Sequence, residues 1–306
     1  MSPWSSPTTL GNSARRAAIQ PGRWPLAACP RAILISVCFL SWALGAWGGE
    51  QAPVPPEALQ AAEQPAKYPT VGERLKFHGR WFGVPVGSGW IEVKEMVDLE
   101  GRQAYHIEAQ GHTNEVLSAF YPIHDVMHSY LDAETLQPLR FEKDQREGGY
   151  RAWEVVTFDQ QRHVATYRSL LNQSVKDIPL PDAFQDLISA LYWFRSQPMA
   201  PSRTLAVDLY TDEKIYQTQI DIAPLGILEL LKRGTFPCVR VEPKARFRGL
   251  LVKRGRIWAY LTPDRYRLPL LVQATTPWGS MSAVLEETSI PASVLRTDAS
   301  SRSASP

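Results

Sequence analysis

The histidines are the residues whose chemistry most readily suggests a metal site. The chain has six histidines, and His124 and His128 lie in one strand-like segment. Residues four apart on a strand share a face but are separated by roughly 13 Å, which a single ion cannot bridge. His106 and His112 have the same difficulty unless a bend intervenes, and Asp125 points away from His124 because neighbours on a strand face opposite sides. The sequence therefore predicts no metal site and places the histidines on a solvated sheet face.

Nucleophilic and cofactor chemistry find no motif either. The chain contains no Gly-x-Ser-x-Gly elbow, and Gly87-Ser88-Gly89 has the character of a turn that enters a strand. Phosphate-binding and dinucleotide-binding glycine patterns are missing as well. Two carboxylate pairs, Asp98 with Glu100 and Glu286 with Glu287, are typical of a turn and a strand end. We therefore expect a protein that is not an enzyme and has no cofactor, and a hydrolase of envelope polymers stays as a third alternative.

The single cysteine of the chain's body points to structure rather than reactivity. Cys29 and Cys38 lie near the N-terminus, and Cys238 stands alone afterwards between Pro237 and Val239. One thiol cannot form an internal disulfide. We expect Cys238 to be a buried structural thiol.

Two surface-chemistry patterns remain, one basic and one aromatic. Positive side chains alternate with strand-forming residues late in the chain, and the opposite faces of many strands carry aromatic residues. The basic row is typical of a solvated sheet face, with contact to anionic lipid headgroups or an acidic polymer as the alternative. The aromatic and helical positions could line a cavity for an acyl chain. The basic row is Arg240, Lys244, Arg246 and Arg248, and the cavity candidates are Phe77, Trp81, Trp90, Phe120, Leu187, Leu191, Trp258 and Tyr260.

The elements that would hold these residues are short strands with period-two alternation. Arg74–Trp81 places Leu75 and Phe77 on one face, and similar runs recur about every ten residues, separated by turns such as Glu147-Gly148-Gly149. Near the end of the chain, 255–287 predicts three strands that form an antiparallel meander. The sequence therefore predicts a mainly β protein, with an antiparallel curved sheet or half-open barrel of about 11 to 13 strands.

One segment has helical rather than strand periodicity. Apolar residues at helical spacing predict a helix over 182–195, with Asp182 as N-cap and Arg195 in the last turn. It is the principal helix of the prediction and is expected to plug or cap the β-structure. Asn114–Phe120 predicts a short helical turn, and Ile227–Arg233 fits either a helical turn or a strand, with strand favoured by its neighbours.

The ends of the chain differ from its body. Residues 1–48 carry arginines followed by an apolar run and small residues, which predicts a secretory signal peptide, with an uncleaved anchor as the alternative. Residues 49–70 predict a disordered Pro/Ala-rich linker, 71–290 a single β-barrel-like domain, and 291–306 a disordered Ser-rich tail. The net charge of +2 falls to about −2 without the leader, so the body lacks the basic field of a nucleic-acid-binding protein.

The assembled pattern resembles one family, the bacterial envelope proteins of domain of unknown function 3108 (DUF3108). The opening hairpin with its turn at 83–87, the segment 182–195, and the Thr262, Asp264, Arg267 and Pro269 pattern carry the resemblance over roughly residues 70–288. The resemblance implies a secreted β-domain, like a half-open barrel of periplasmic lipoprotein carriers, and implies no known activity.

These expectations favour a periplasmic, non-enzymatic binding or carrier protein for an apolar or lipid-like envelope ligand. The alternative is a structural or interaction protein with a solid core that docks an envelope protein partner. The sequence predicts no nucleic-acid partner, allows proximity to a membrane, and leaves the oligomeric state open.

Overall fold

The computed structural model describes residues 69–230, 233–247, 250–251, 255–276 and 279–290. The predicted signal peptide, most of the linker and the C-terminal tail lie outside these residues. Within the described ranges the chain forms two short helices and sixteen strands: β1 (Arg74–Trp81), β2 (Val84–Leu99), β3 (Arg102–Thr113), α1 (Glu115–Ser118), β4 (Ile123–Asp132), β5 (Pro138–Glu147), β6 (Tyr150–Asp159), β7 (Val164–Ser169), β8 (Val175–Pro179), β9 (Phe184–Gln185), α2 (Ser189–Ser196), β10 (Thr204–Thr211), β11 (Lys214–Leu230), β12 (Gly234–Phe247), β13 (Leu250–Leu251), β14 (Arg256–Leu261), β15 (Pro269–Thr276) and β16 (Gly279–Thr288).

All the strands belong to one curved, unclosed sheet. Its order is β8-β7-β6-β5-β4-β3-β2-β1-β16-β15-β14-β12-β11-β10-β9, with β13 paired to β12. Neighbours are antiparallel except β9 and β10, which pair in parallel through Asp208 and Leu209. The alternation of the sequence produces this sheet because each strand buries one face, as Leu75 and Phe77 do in β1. The predicted fold class is confirmed, and the strand count exceeds the prediction partly because β9 and β13 are only two residues long.

In the part of the chain that the structure describes, the core consists of three buried apolar clusters. The first joins inward residues of β2 to β7 to Phe184, Ile188, Tyr192 and Tyr210. A second lies between β1, β15 and β16 on one side and the end of β11 with the start of β12 on the other. It includes Cys238, which is buried as expected. The third packs Phe194 and Met199 against β10, β11 and β12. The sheet therefore curls around the segment 184–199, which fills its concave side.

That segment is only half helical, so the predicted helix over 182–195 is wrong in its first half. The helix α2 begins at Ser189, and Phe184–Gln185 is a strand instead. The physical reason is the side chain of Asp186, whose Oδ1 accepts hydrogen bonds from the backbone N–H groups of Ile188 and Ser189, both at 2.8 Å. This Asx-type turn starts the helix there. Asp182, the predicted N-cap, is exposed outside it.

The two edges of the sheet meet through side chains rather than through a backbone ladder. Phe158 of β6 contacts Tyr210 of β10 with ring centroids 5.2 Å apart. Lys143 of β5 binds Asp212, in the β10–β11 turn, at 3.3 Å, and Lys176 of β8 pairs with Glu213. These contacts form a seam that brings β5 to β8 against the β10–β11 hairpin.

The connections β1–β2, β3–β4, β5–β6 and β7–β8 lie at one end of the sheet, which we call the rim end. Backbone bonds join them in turn: Asn114 N–H donates to the Val86 carbonyl at 2.9 Å, and Gly148 N–H donates to the Pro122 carbonyl at 2.8 Å. Phe82 N–H donates to the Ser280 carbonyl at 2.8 Å and links the start of β16 to this end. The rim end is therefore a continuous surface rather than a set of separate loops.

One glycine near the rim end is required by close packing of β2 on β3. A Cβ added to Gly87 would lie 2.1 Å from the backbone oxygen of His112. We expect Gly87→Ala to lower the free energy of unfolding by about 2 kcal/mol, since the backbone must shift to admit a methyl group. Chemical denaturation measures this change. Gly226→Ala, in β11, has nothing within 4 Å of its Cβ and is the matched control. Equal effects of the two substitutions would contradict the packing argument.

Among the described residues, neither helix is long and apolar enough to cross a membrane.

Candidate functional site

Exposed apolar side chains are concentrated at the rim end. Of ten exposed large apolar side chains among the described residues, eight lie on its turns or the strand ends next to them. Val71 and Met96 are the other two. Side chains scattered singly over a surface need no explanation, but a concentration at one end makes that end the candidate interaction surface. We call this set the apolar rim: Trp81, Phe82, Val84, Val116, Phe120, Trp153, Leu171 and Val175.

The most exposed part of the apolar rim is the β3–β4 connection. Phe120 is 84% exposed and Val116 75% exposed, and no residue of α1 is buried. The connection is held by polar contacts, since Asn114 caps α1 by accepting from Leu117 N–H and donates from Nδ2 to the Pro85 carbonyl, at 2.9 and 2.8 Å. It thus presents apolar side chains outwards without contributing them to the core.

Directly beneath this connection lies a group of buried polar side chains, which we call the acceptor cluster: Asp125, Gln145 and Glu147. Asp125 of β4 is the register partner of Gln145 in β5, and Glu147 lies two residues further along the same face of β5. Their residue exposures are 3%, 0% and 0%. Ile123 N–H donates to Thr113 Oγ1 at 3.0 Å and fixes the start of β4 beside them. Alternation along β4 and β5 turns all three side chains towards the concave side of the sheet.

Each member of the acceptor cluster leaves one oxygen without a hydrogen-bond partner among the described residues. Asp125 Oδ1 accepts from Arg146 N–H at 2.9 Å, and Glu147 Oε1 accepts from Gln145 Nε2. Asp125 Oδ2, Glu147 Oε2 and Gln145 Oε1 have no such partner. Buried polar atoms are nearly always paired, so three adjacent acceptors of this kind are unusual.

The electrostatics of the acceptor cluster reflect its burial. Desolvation, aided by the nearby charge of Asp125, raises the pKa of Glu147 to about 8. Desolvation also raises the pKa of Asp125 to about 6, against the lowering effect of its hydrogen bond from Arg146. Both carboxyl groups therefore hold protons at a pH where free carboxyl groups are ionised.

The neighbouring cation does not complete the acceptor cluster. Lys143 lies on the same face of β5, but its ammonium binds Glu154 at 2.9 Å and Asp212 at 3.3 Å. Burial opposes its charge, yet these two carboxylates hold the pKa of Lys143 above its ordinary value. This face of the sheet therefore already holds one ammonium group bound by two carboxylates. The carboxyl groups of Asp125 and Glu147 form no ion pair with it.

The structure does not bring all eight predicted cavity residues to one place. Phe77 belongs to the second core cluster and Tyr260 packs against it, whereas Leu187 and Leu191 are half-buried beside the buried face of α2. The guanidinium carbon of Arg74 lies over the ring of Trp90, 5.1 Å from the centroid of that ring. Half-buried Trp258 donates from Nε1 to Gln273 at 2.8 Å.

The prediction that Phe120 and Trp81 line an interior is wrong. Trp81 is 39% exposed, since it is the last residue of β1, where the strand reaches the rim end. Phe120 follows α1 and lies off the sheet, so strand alternation does not determine its direction. Both belong to the apolar rim instead.

The basic row is only partly a free positive surface. Lys244 binds Asp221 at 2.5 Å, and nearby Arg256 makes a two-pronged contact with Glu242. Arg240 and Arg246 are exposed. Arg248 lies outside the described residues. Cross-strand carboxylates, which the sequence pattern of a single strand does not reveal, account for the neutralised members.

A histidine pair escaped the sequence prediction because it forms across strands. His106 of β3 and His128 of β4 lie 3.0 Å apart between Nε2 and Nδ1, and His106 stacks on Tyr130. Burial, followed by the proximity of His128, lowers the pKa of His106. Among the described residues, no three His, Cys, Asp or Glu side chains are grouped so that they could hold a metal ion.

Comparison with solved structures finds several distant matches. A β-barrel-like protein of domain of unknown function DUF1849 from Brucella abortus matches 71% of this chain and 97% of its own, with 10% identity and a TM-score of 0.49. A protein described as exported, with a YmcC-like fold, from Bacteroides fragilis covers 73% of this chain and 99% of its own, with 9% identity and a TM-score of 0.30. A protein described as a lipoprotein, from Parabacteroides distasonis, covers 74% and 99%, with 12% identity and a TM-score of 0.29.

Sequence comparison gives a firmer result. The chain matches none of the curated proteins with which it was compared. The profile of one family, described as protein of unknown function (DUF3108), matches residues 76–286, which include most of the described sheet and the Thr262–Pro269 pattern. The resemblance drawn from the sequence is confirmed, and this chain belongs to the DUF3108 family.

Proposed function

We propose that this protein is a non-catalytic binding protein of the bacterial cell envelope, and that its apolar rim docks on the surface of a phospholipid bilayer. The observation that carries the proposal is the concentration of eight exposed apolar side chains at one end of the sheet. Trp and Phe side chains at turn tips are suited to the membrane interface, where an apolar ring meets polar headgroups. The export-type leader of the sequence supports an address in the periplasm, where membranes border the protein on both sides.

Exposed arginines near the apolar rim support a lipid surface over a purely apolar partner. Arg80 precedes Trp81, Arg151 lies two residues before Trp153, and Arg168 lies near the end of β7. All three are exposed, with Glu115 of α1 as an exposed acidic residue nearby. Cationic side chains beside inserted aromatic residues are attracted to anionic headgroups.

The docking proposal predicts a specific loss when the most exposed side chains are made polar. We expect the double variant Val116→Ser/Phe120→Ser to bind vesicles of phosphatidylcholine and phosphatidylglycerol at least about tenfold more weakly than the wild type, because each side chain would lose its transfer into the interface. Co-flotation with vesicles measures the binding. Folding should be unaffected, because α1 has no buried side chain.

The matched control is Val71→Ser/Met96→Ser, which removes the two large apolar side chains that, of the described residues, are exposed outside the apolar rim. It should bind vesicles like the wild type. A wild type that does not float with vesicles, or a control that loses as much binding as the rim variant, would reject the proposal.

A further inference from the structure

The acceptor cluster has the composition of a ligand site rather than of a completed structural network. Gln145 lies between the two carboxyl groups, as register partner of Asp125 and as hydrogen-bond donor to Glu147. Its amide oxygen is buried and has no partner among the described residues. Asp125 Oδ2 and Glu147 Oε2 are likewise buried and have no hydrogen-bond partner among the described residues. When Asp125 and Glu147 are ionised, the three unmatched atoms are all acceptors, so the group that satisfies them in that state must be a donor.

The number and charge of these acceptors indicate which donor fits. Two carboxyl groups favour a positively charged partner, because burying an unpaired carboxylate is costly. Three acceptors on three side chains match the three N–H groups of a primary ammonium. A guanidinium is planar and forked and suits a single carboxylate. A quaternary ammonium has no N–H to donate.

The surroundings of the acceptor cluster strengthen this choice. Lys143 supplies one positive charge to this face and is held by Glu154 and Asp212, whereas the charges of Asp125 and Asp212 raise the pKa of Glu147. The raised pKa values of Asp125 and Glu147 show that the fold alone does not stabilise their ionised forms. A bound ammonium would supply the missing charge.

At the rim end, one connection covers the acceptor cluster. The β3–β4 connection lies above Glu147, since Gly148 N–H donates to Pro122 and a Cβ on Gly148 would meet the ring of Tyr121 at 2.7 Å. Because α1 buries no side chain, lifting this connection would expose little apolar core. The same connection carries Phe120 and Val116 of the apolar rim.

From this geometry we infer that Asp125, Gln145 and Glu147 form a binding site for a primary ammonium group that enters beneath the β3–β4 connection. The group could belong to a lipid headgroup or to a small soluble amine, and the site does not depend on the proposed docking to a bilayer. Asp125 and Glu147 would bind as carboxylates, and Gln145 would accept the third N–H.

The test uses ethanolamine and choline, which share a hydroxyethyl group and differ in their N–H donors. We expect isothermal titration calorimetry to show that the wild type binds ethanolamine at least about tenfold more tightly than choline. Glu147→Gln should abolish that preference. The matched control Asp144→Asn changes a neighbouring β5 carboxylate that faces the other way and pairs with Arg146, and it should retain the preference.

A second arm separates the two sources of the ammonium. Vesicles in which phosphatidylethanolamine replaces phosphatidylcholine should bind the wild type more strongly than Glu147→Gln if a lipid headgroup is the ligand. Equal vesicle binding together with preserved ethanolamine binding would assign the site to a soluble amine.

The inference is overturned if the wild type fails to distinguish ethanolamine from choline, or if folded Glu147→Gln and Asp125→Asn bind ethanolamine as well as the wild type. Failure of the docking proposal has a different signature, namely a wild type that binds ethanolamine but does not float with any vesicle. The two proposals therefore fail separately.

Discussion

Replacing Glu73 with alanine is expected to lower the free energy of unfolding by about 3–5 kcal/mol. Arg195, in the last turn of α2, and Glu73, just before β1, are 0% and 2% exposed. Two hydrogen bonds join them, from Nη1 to Oε1 at 2.6 Å and from Nη2 to Oε2 at 2.9 Å. Removing the carboxylate leaves a buried guanidinium with only part of its partners, among them the Tyr266 carbonyl at 2.9 Å.

Urea denaturation of three variants separates this effect from loss of packing. Glu73→Leu/Arg195→Met removes both charges. It should recover at least half of the unfolding free energy that Glu73→Ala loses, because no unpaired charge is then left buried. Lys244→Ala breaks an exposed ion pair with Asp221 and should change stability by less than about 1 kcal/mol. A loss below about 1 kcal/mol in Glu73→Ala would mean that the pair does not secure α2.

The second large effect concerns pH and the acceptor cluster. We expect Glu147→Gln to exceed the wild type in free energy of unfolding by about 3 kcal/mol at pH 8.5, and to differ from it by less than about 1 kcal/mol at pH 5. The pKa of Glu147 rises from an ordinary value of 4.5 to about 8 in the folded protein. The expected gain is below the value that the full pKa shift implies, because Glu147 lies at the end of the sheet, where hydration would stabilise its ionised form.

The direction of this pH effect follows from proton binding. Between pH 4.5 and about 8 the folded protein holds a proton on Glu147 that the unfolded chain has released. The wild type therefore loses stability as the pH rises through this range, and glutamine, which does not titrate, removes that loss. Asp125 contributes in the same direction up to about pH 6. The charged groups that influence these two residues are His124, Lys143, Asp144 and Asp212.

Denaturation curves of the two proteins between pH 5 and 9 test the expectation. Asp144→Asn should follow the wild type closely, because Asp144 is the weakest of the influences on Asp125 and is not among the charges that act on Glu147. Parallel pH profiles for Glu147→Gln and the wild type would show that Glu147 titrates normally. Saturating ethanolamine should flatten the wild-type profile if the ammonium site exists, because bound cation stabilises the ionised carboxyl groups.

The strands could be predicted from the sequence because each one buries a single face. Arg74–Trp81 matches β1 residue for residue, and the ambiguous segment 227–233 is a strand at least to Leu230. The predicted helix begins too early because apolar residues at 184 and 187–188 fit helical spacing, while the side chain of Asp186 stops the helix from starting earlier. Local hydrogen bonding by one Asp outweighed periodicity over half of that segment.

The candidate site could not be predicted because it depends on register. Asp125, Gln145 and Glu147 are ordinary polar residues along their strands, and only the pairing of β4 with β5 places them together. One residue of the family pattern has a structural role that the structure makes visible. Buried Arg267 donates to the Arg195 carbonyl at 2.6 Å and so attaches the β14–β15 turn to the end of α2. The sequence alone indicates no role for Arg267.

The seam between β5 to β8 and the β10–β11 hairpin has a mechanical consequence. A fully hydrogen-bonded cylinder has a fixed girth, since widening it would break a whole backbone ladder. Here the junction consists of ring contacts and lysine–carboxylate pairs such as Lys143 with Asp212. These contacts tolerate small displacements, so the two flanks can slide or part slightly while every strand keeps its neighbours. The sheet can therefore widen slightly at this junction, which a closed barrel cannot do.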